Sequence, residues 1–154
     1  MSLTIDVPGR GALTLDHLVV DFTGTLALDG VLLPGVETRL AALASSVRIT
    51  VATADTFGTA RGALAALPVA VELIGRGEEK AALVERLGPE HVVAIGNGRN
   101  DAAMLGAAAL AIAVVGPEGA AAAALQAADL VVADIRAGLD LLLHPLRAAA
   151  TMRE

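Results

Sequence analysis

The sequence has no cysteine, tryptophan or tyrosine, and its two phenylalanines leave aromatic residues at 1%. Without cysteine there is no disulfide framework, no thiol nucleophile and no thiolate metal site. With so few rings, the stacking platforms that hold single-stranded nucleic acid are missing. Positive charge is also scarce: 11 Lys and Arg stand against 17 Asp and Glu, a net charge of −6. A duplex-binding protein needs a basic face to release counterions, so nucleic acid is not an expected partner. The most apolar stretch, Ala102 to Pro117, is broken by glycine and followed by Glu118. It falls short of the roughly 18–20 residues that span a bilayer. The opening MSLTIDVPGR lacks a basic segment followed by an apolar one, so no secretory signal is read there. These absences point to a soluble, cytoplasmic chain with no membrane partner.

What remains is an aliphatic chain of 154 residues, 55% hydrophobic, whose core must be built from Leu, Val, Ile and Ala. That length suits a single domain over residues 1–154. Leu3–Val7, a Pro-Gly-Arg-Gly turn and Ala12–Leu15 alternate as a short N-terminal β-hairpin. Apolar runs then follow at His17–Asp21, Val47–Thr53, Val69–Ile74, His91–Ile95, Leu110–Val115 and Leu130–Val132. Helical stretches separate or follow them at Val36–Ser45, Thr56–Leu67, Glu78–Leu87, Asp101–Ala109, Ala120–Ala128 and Ile135–Leu143. Strands that are apolar on both faces and alternate with helices predict an α/β fold, a doubly wound, Rossmann-like parallel sheet.

In such sheets ligands bind beyond the carboxyl ends of the strands, and the chemically capable residues fall there. Asp21 ends the first core strand and Thr53 the second. Lys80 lies in the first turn of the helix after the third, and Gly96-Asn-Gly-Arg-Asn-Asp101 follows the fourth. The string Val19-Val-Asp-Phe-Thr-Gly-Thr-Leu26 delivers a carboxylate into a turn where Gly24 permits close backbone approach. A carboxylate fixed in this way can attack phosphorus and form an acyl phosphate, dividing one difficult displacement into two easier ones. The Gly96–Asp101 loop is not a dinucleotide fingerprint, because Asp101 stands where the third glycine would be.

Together these segments resemble the motifs of the haloacid-dehalogenase superfamily, whose first motif is Asp-x-Asp-x-Thr or, in P-type ATPases, Asp-Lys-Thr-Gly-Thr. The resemblance covers nearly the whole chain and is nearest to small soluble P-type ATPase-like proteins, which share the stretch seen here as Ala54–Thr59. It implies a core without a cap domain and Asp21 as nucleophile. It also implies that Thr53 and Lys80 bind the phosphoryl group beside Gly24, with Lys80 pairing with Asp21. The Mg2+ would be held by Asp21, Thr23 through its backbone carbonyl, Asn97 and Asp101. Magnesium takes oxygen ligands and retains several waters, which suits such a set.

Two positions depart from the pattern of an ordinary phosphatase of the superfamily. Thr23 stands where the second aspartate donates and removes a proton, help typically worth about 10²–10⁴-fold. Asn97 stands where the principal metal-binding aspartate is expected, removing one negative charge. The resemblance therefore implies a slow magnesium-dependent phosphohydrolase acting on a small phosphorylated substrate. The alternative is a phosphate- or magnesium-binding regulatory domain that has lost useful turnover. The intervals Leu26–Val47 and Leu67–Lys80 are too short for a cap, so an open site and a homo-oligomer are expected by analogy with capless relatives.

Other polar residues are read as structural. His17, His91 and His144 lack metal-ligand spacing with one another. Asp55 is read as a helix N-cap, near enough to Thr53 to remain open as a substitute base. Arg99 either meets an anionic substrate or faces solvent, and Asp129 and Asp134 are taken as turn residues.

Overall fold

The computed structural model describes residues 1–55 and 58–154. Its first strands, β1 (Leu3–Val7) and β2 (Gly11–Leu15), form the antiparallel N-terminal hairpin expected from their alternation. The chain continues through β3 (His17–Val20), a short hairpin of β4 (Ala27–Leu28) and β5 (Val31–Leu32), and α1 (Val36–Leu43). Next come β6 (Arg48–Thr53), α2 (Ala60–Leu64), β7 (Val69–Leu73), α3 (Gly77–Leu87) and β8 (Val92–Gly96). The last part comprises α4 (Ala102–Ala107), β9 (Leu110–Val114), α5 (Ala122–Ala127), β10 (Leu130–Val132), α6 (Ile135–Leu143) and α7 (Pro145–Met152).

Six strands form one parallel sheet in the order β10-β9-β8-β3-β6-β7. The chain winds from β3 toward β7, then returns to β8 on the other side of β3. The two halves therefore diverge between β3 and β8, and there a crevice opens at the carboxyl ends. Every residue of β8 and β9 is buried, which explains why these strands read as unbroken apolar runs. Leu18 and Val20 face one layer, packed with residues of the hairpin and of α1, α2, α6 and α7. Val19, Val92 and Ala94 face the opposite layer, packed with Leu83, Val84, Met104, Leu105 and Ala124 of α3, α4 and α5. Among the described residues no helix is long and apolar enough to cross a membrane.

Several helix boundaries are shorter than the sequence periodicity implies. The helix expected from Thr56 begins outside the described residues; the described helix opens at Ala60 and stops at Leu64. Asp55 lies in the left-handed region at φ 52°. Its Oδ1 accepts from the amides of Thr59 and Ala60, 2.8 Å each, so it does satisfy the start of this helix. The helix expected from Asp101 starts at Ala102 because Arg99–Asp101 is wound as a 3₁₀ turn. Two elements go beyond the sequence reading. One is the β4–β5 hairpin, whose turn uses positive φ at Asp29 and Gly30. The other is α7, opened by Pro145 at its first position, where a missing N–H costs nothing. No cap is inserted into either short interval.

Candidate active site

The crevice is built around one carbonyl. Phe22 is 1% exposed, and its oxygen accepts from the amides of Thr25, Leu26 and Ala27 at 3.2, 2.9 and 3.0 Å. The turn after β3 therefore wraps on a single buried residue. Gly24 reaches φ +78°, and its amide donates to Ala27 O at 2.8 Å. The Asp21 amide donates to Ile95 O at 3.0 Å, fixing the end of β3 to that of β8. Asp21 is thus presented where the sheet divides, 6% exposed, at the wall of a cavity of about 230 Å³.

Lys80 comes from the first turn of α3 and is completely buried. Its Nζ lies 2.8 Å from Asp21 Oδ1 and 2.9 Å from Asp101 Oδ1. The other oxygen of Asp101 accepts from the amides of Asn97 and Gly98 at 3.0 and 2.9 Å. That carboxylate lies directly over Gly96, where an added Cβ would come within 2.5 Å of its Cγ. The glycine at 96 is the space that Asp101 occupies. Burial raises the Asp21 carboxyl to about 6, reinforced by the nearby Asp101 charge, while Lys80 and Thr25 pull it back. For Lys80, burial presses the ammonium downward, but Asp21 and Asp101 outweigh it and hold it above its ordinary value. The lysine thus stays charged and most of Asp21 is ionised near neutral pH.

Thr53, at the end of β6, is 1% exposed and lines the same cavity. Its Oγ1 accepts from the Asp55 amide at 3.0 Å, which leaves its proton for an oxygen in the cavity. Asn97 lines the cavity too, with Oδ1 3.2 Å from Thr25 Oγ1 and Nδ2 donating to Gly119 O at 3.1 Å. Thr23 lines it with a buried hydroxyl oxygen that has no hydrogen-bond partner among the described residues.

The structure brings Asp21, Thr23, Thr53 and Asn97 to one cavity and sets Lys80 directly behind Asp21. Gly24 and Asp101 do not line it. Gly24 backs onto Asn97 and Glu118. Both oxygens of Asp101 are hydrogen-bonded, one to Lys80 and the other to the amides of Asn97 and Gly98. Arg99 is exposed and does not line the cavity.

Three participants escape the sequence reading. Thr25 Oγ1 lies 3.2 Å from Asp21 Oδ2 and 3.2 Å from Asn97 Oδ1, donating its one proton to one of them at a time. Asn100 and Glu118 line the cavity. Thr25 and Asn100 sit inside the two strings already singled out, whereas nothing in the sequence marks Glu118.

A divalent cation fits these residues. Asp21 offers a carboxylate, Asn97 an amide oxygen, and the orphaned Thr23 hydroxyl borders the same space. The absent Cβ of Gly24 lets Asn97 and Glu118 approach the turn. Oxygen donors with few charges suit a hard cation that keeps much of its water.

No family model matches the chain. An uncharacterized protein of Methanocaldococcus jannaschii is 44% identical over 85 residues, 51% of this chain and 91% of that protein. Among solved structures, a protein of Streptomyces avermitilis described as a HAD family hydrolase superimposes with TM-score 0.68 at 21% identity, covering 85% of this chain and 84% of that one. The 3-deoxy-D-manno-octulosonate 8-phosphate phosphatase of Moraxella catarrhalis, in complex with magnesium, phosphate and its sugar, has TM-score 0.67 at 17% identity, covering 89% and 90%. A zinc-transporting PIB-type ATPase has TM-score 0.64 at 25% identity over 78% of this chain and 20% of that one.

Proposed function

This chain belongs to one family with the Methanocaldococcus jannaschii protein and has the haloacid-dehalogenase fold, and from that premise we propose that it is a phosphohydrolase whose Asp21 carries the phosphoryl group. The observation that supports this most is the buried lysine between two carboxylates, with the outer one facing the cavity. A structural ion pair has no need of a hollow in front of it.

In the first half-reaction an Asp21 carboxylate oxygen attacks phosphorus, and the bond from phosphorus to the ester oxygen breaks. Lys80 keeps the carboxylate in place through Oδ1, and Thr25 through Oδ2. Thr53 donates its hydroxyl proton to a phosphoryl oxygen, and the unpartnered Thr23 hydroxyl donates to another. The departing alkoxide takes its proton from water, because a threonine at position 23 cannot supply one near neutral pH. In the second half-reaction water attacks the same phosphorus, the bond to Asp21 breaks, and inorganic phosphate leaves. Lacking an acid at 23, both halves are slow, and esters with good leaving groups are favoured. A magnesium ion held by Asp21, Asn97 and the Thr23 carbonyl would neutralise the phosphoryl charge. The substrate is a small phosphorylated compound, since the cavity of about 230 Å³ is modest.

The test is release of phosphate from an aryl phosphate and a panel of phosphometabolites, with Mg2+ and with chelator, beside Asp21→Asn. Mg2+-dependent release that disappears in the variant is expected. Release that persists in Asp21→Asn refutes the reading, and no release with phosphate still bound assigns the chain a binding role.

A further inference from the structure

Glu118 is an acid on the rim of the cavity to which the phosphohydrolase reading assigns a phosphate dianion. It lies on the loop after β9 and lines the cavity with Asp21, Thr23 and Asn97. Its neighbours place it closely: a Cβ added to Gly24 would sit 2.8 Å from Asn97 Nδ2 and 3.1 Å from Glu118 Oε2. The loop is tied there by Asn97, whose Nδ2 donates to Gly119 O at 3.1 Å and whose backbone carbonyl accepts from Ala121 N at 2.8 Å. Gly119 N in turn donates to Gly116 O at 3.2 Å, closing the turn that carries Glu118.

The charges decide what such a residue does. Asp21 and Asp101 against Lys80 leave one negative charge uncompensated. Glu118 adds a second. Facing a bare phosphate, that balance repels; facing a divalent cation, it is neutral. Resting on the phosphohydrolase reading, we propose that Glu118 is a cation ligand of this site, supplying from the β9–α5 loop the acidic charge that Asn97 does not. Asn97 acts as a positioning residue as well as a neutral oxygen donor, since its amide holds the loop that brings the acid in. Among the described residues no three acids or histidines converge on one point, so the set is a mixed one, two carboxylates with neutral oxygens from Asn97 and Thr23. The unpartnered Thr23 hydroxyl on the same wall is a second mark of a ligand-filled space.

The test is titration of the whole chain with Mn2+, following the free ion by electron paramagnetic resonance, for the native protein, Glu118→Gln and Asp21→Asn. Glu118 is exposed, so its variant is expected to melt with the native protein. The expected result is Mn2+ affinity lowered about 10–100-fold in Glu118→Gln, with binding lost further in Asp21→Asn. Native-like affinity in Glu118→Gln overturns the inference, and so does a native protein that takes up no Mn2+. The phosphohydrolase reading is judged separately by turnover in Asp21→Asn: its loss there keeps that reading even when Glu118→Gln binds normally.

Discussion

Lys80 is the most exacting point of the structure, because it has no exposed surface and touches two carboxylates that are themselves buried. Replacing it by methionine keeps most of its volume and removes the charge together with the two hydrogen bonds it donates. Asp21 and Asp101 then face each other without a cation. Removing one partner of a buried ion pair typically costs about 3–5 kcal/mol, a fall in melting temperature of roughly 6–20 °C for a chain of this size. The loss depends on pH in a definite direction. The Asp21 carboxyl already stands at about 6 in the folded protein, above its ordinary value. A raised acid contributes stability that is complete below its unfolded pKa and is lost as pH rises through the folded one. Without Lys80 it rises further, so the variant begins to take up its proton at higher pH than the native protein does. Between pH 7.5 and 6 the variant gains more stability than the native protein does, at most about 1.4 kcal/mol per pH unit. The deficit therefore narrows as pH falls over that interval. Urea unfolding of both proteins in chelator, at pH 7.5, 6 and 5, measures this directly. A deficit that stays constant with pH, or a variant as stable as the native protein, refutes the reasoning.

Three further outcomes follow from the same geometry. Thr23→Asp restores an acid that can protonate the leaving group and activate water, so turnover of an aryl phosphate rises by about 10²–10⁴-fold, read from steady-state release. Thr25→Val removes the hydroxyl shared by Asp21 and Asn97. Since that hydrogen bond lowers the Asp21 carboxyl, the acid limb of kcat/KM moves to higher pH, and stability falls by about 1–2 kcal/mol. Gly24→Ala is strained at φ +78° and drives a methyl to 2.8 Å from Asn97 Nδ2. It is expected to lower the melting temperature and weaken Mn2+ binding together, measured by calorimetry and by the titration above.

Much of this is legible in the sequence. The strands are buried on both faces, so β8 and β9 appear as uninterrupted apolar runs. Their alternation with helices leaves few topologies. Asp21, Thr53 and the Gly96–Asp101 loop can be placed because ligand-binding residues in a doubly wound sheet gather at strand ends. The alanine-rich helices are harder to bound. Alanine favours a helix everywhere along a segment and marks neither end, so α5 is shorter at both than its composition suggests. The helix α7 escapes notice because Pro145 reads first as a breaker and only second as a first-turn residue. Thr25 and Glu118 are not legible for a different reason. Their parts depend on which oxygen lies opposite them across the crevice, and spacing along the chain carries no such information. Asp101 shows the same limit, since only the fold reveals that its oxygens are spent on Lys80 and two backbone amides.

The most direct test of the central claim is to find the phosphoryl group itself. The protein is mixed with an excess of an aryl phosphate and Mg2+, quenched in acid, digested and weighed peptide by peptide. If, as proposed, Thr23 leaves the second half-reaction without an acid–base group, the acyl phosphate is expected to accumulate on the peptide holding Asp21, to be released by hydroxylamine, and to be absent from Asp21→Asn. Phosphate release that proceeds with no modified Asp21 peptide, or modification that survives in Asp21→Asn, contradicts the account.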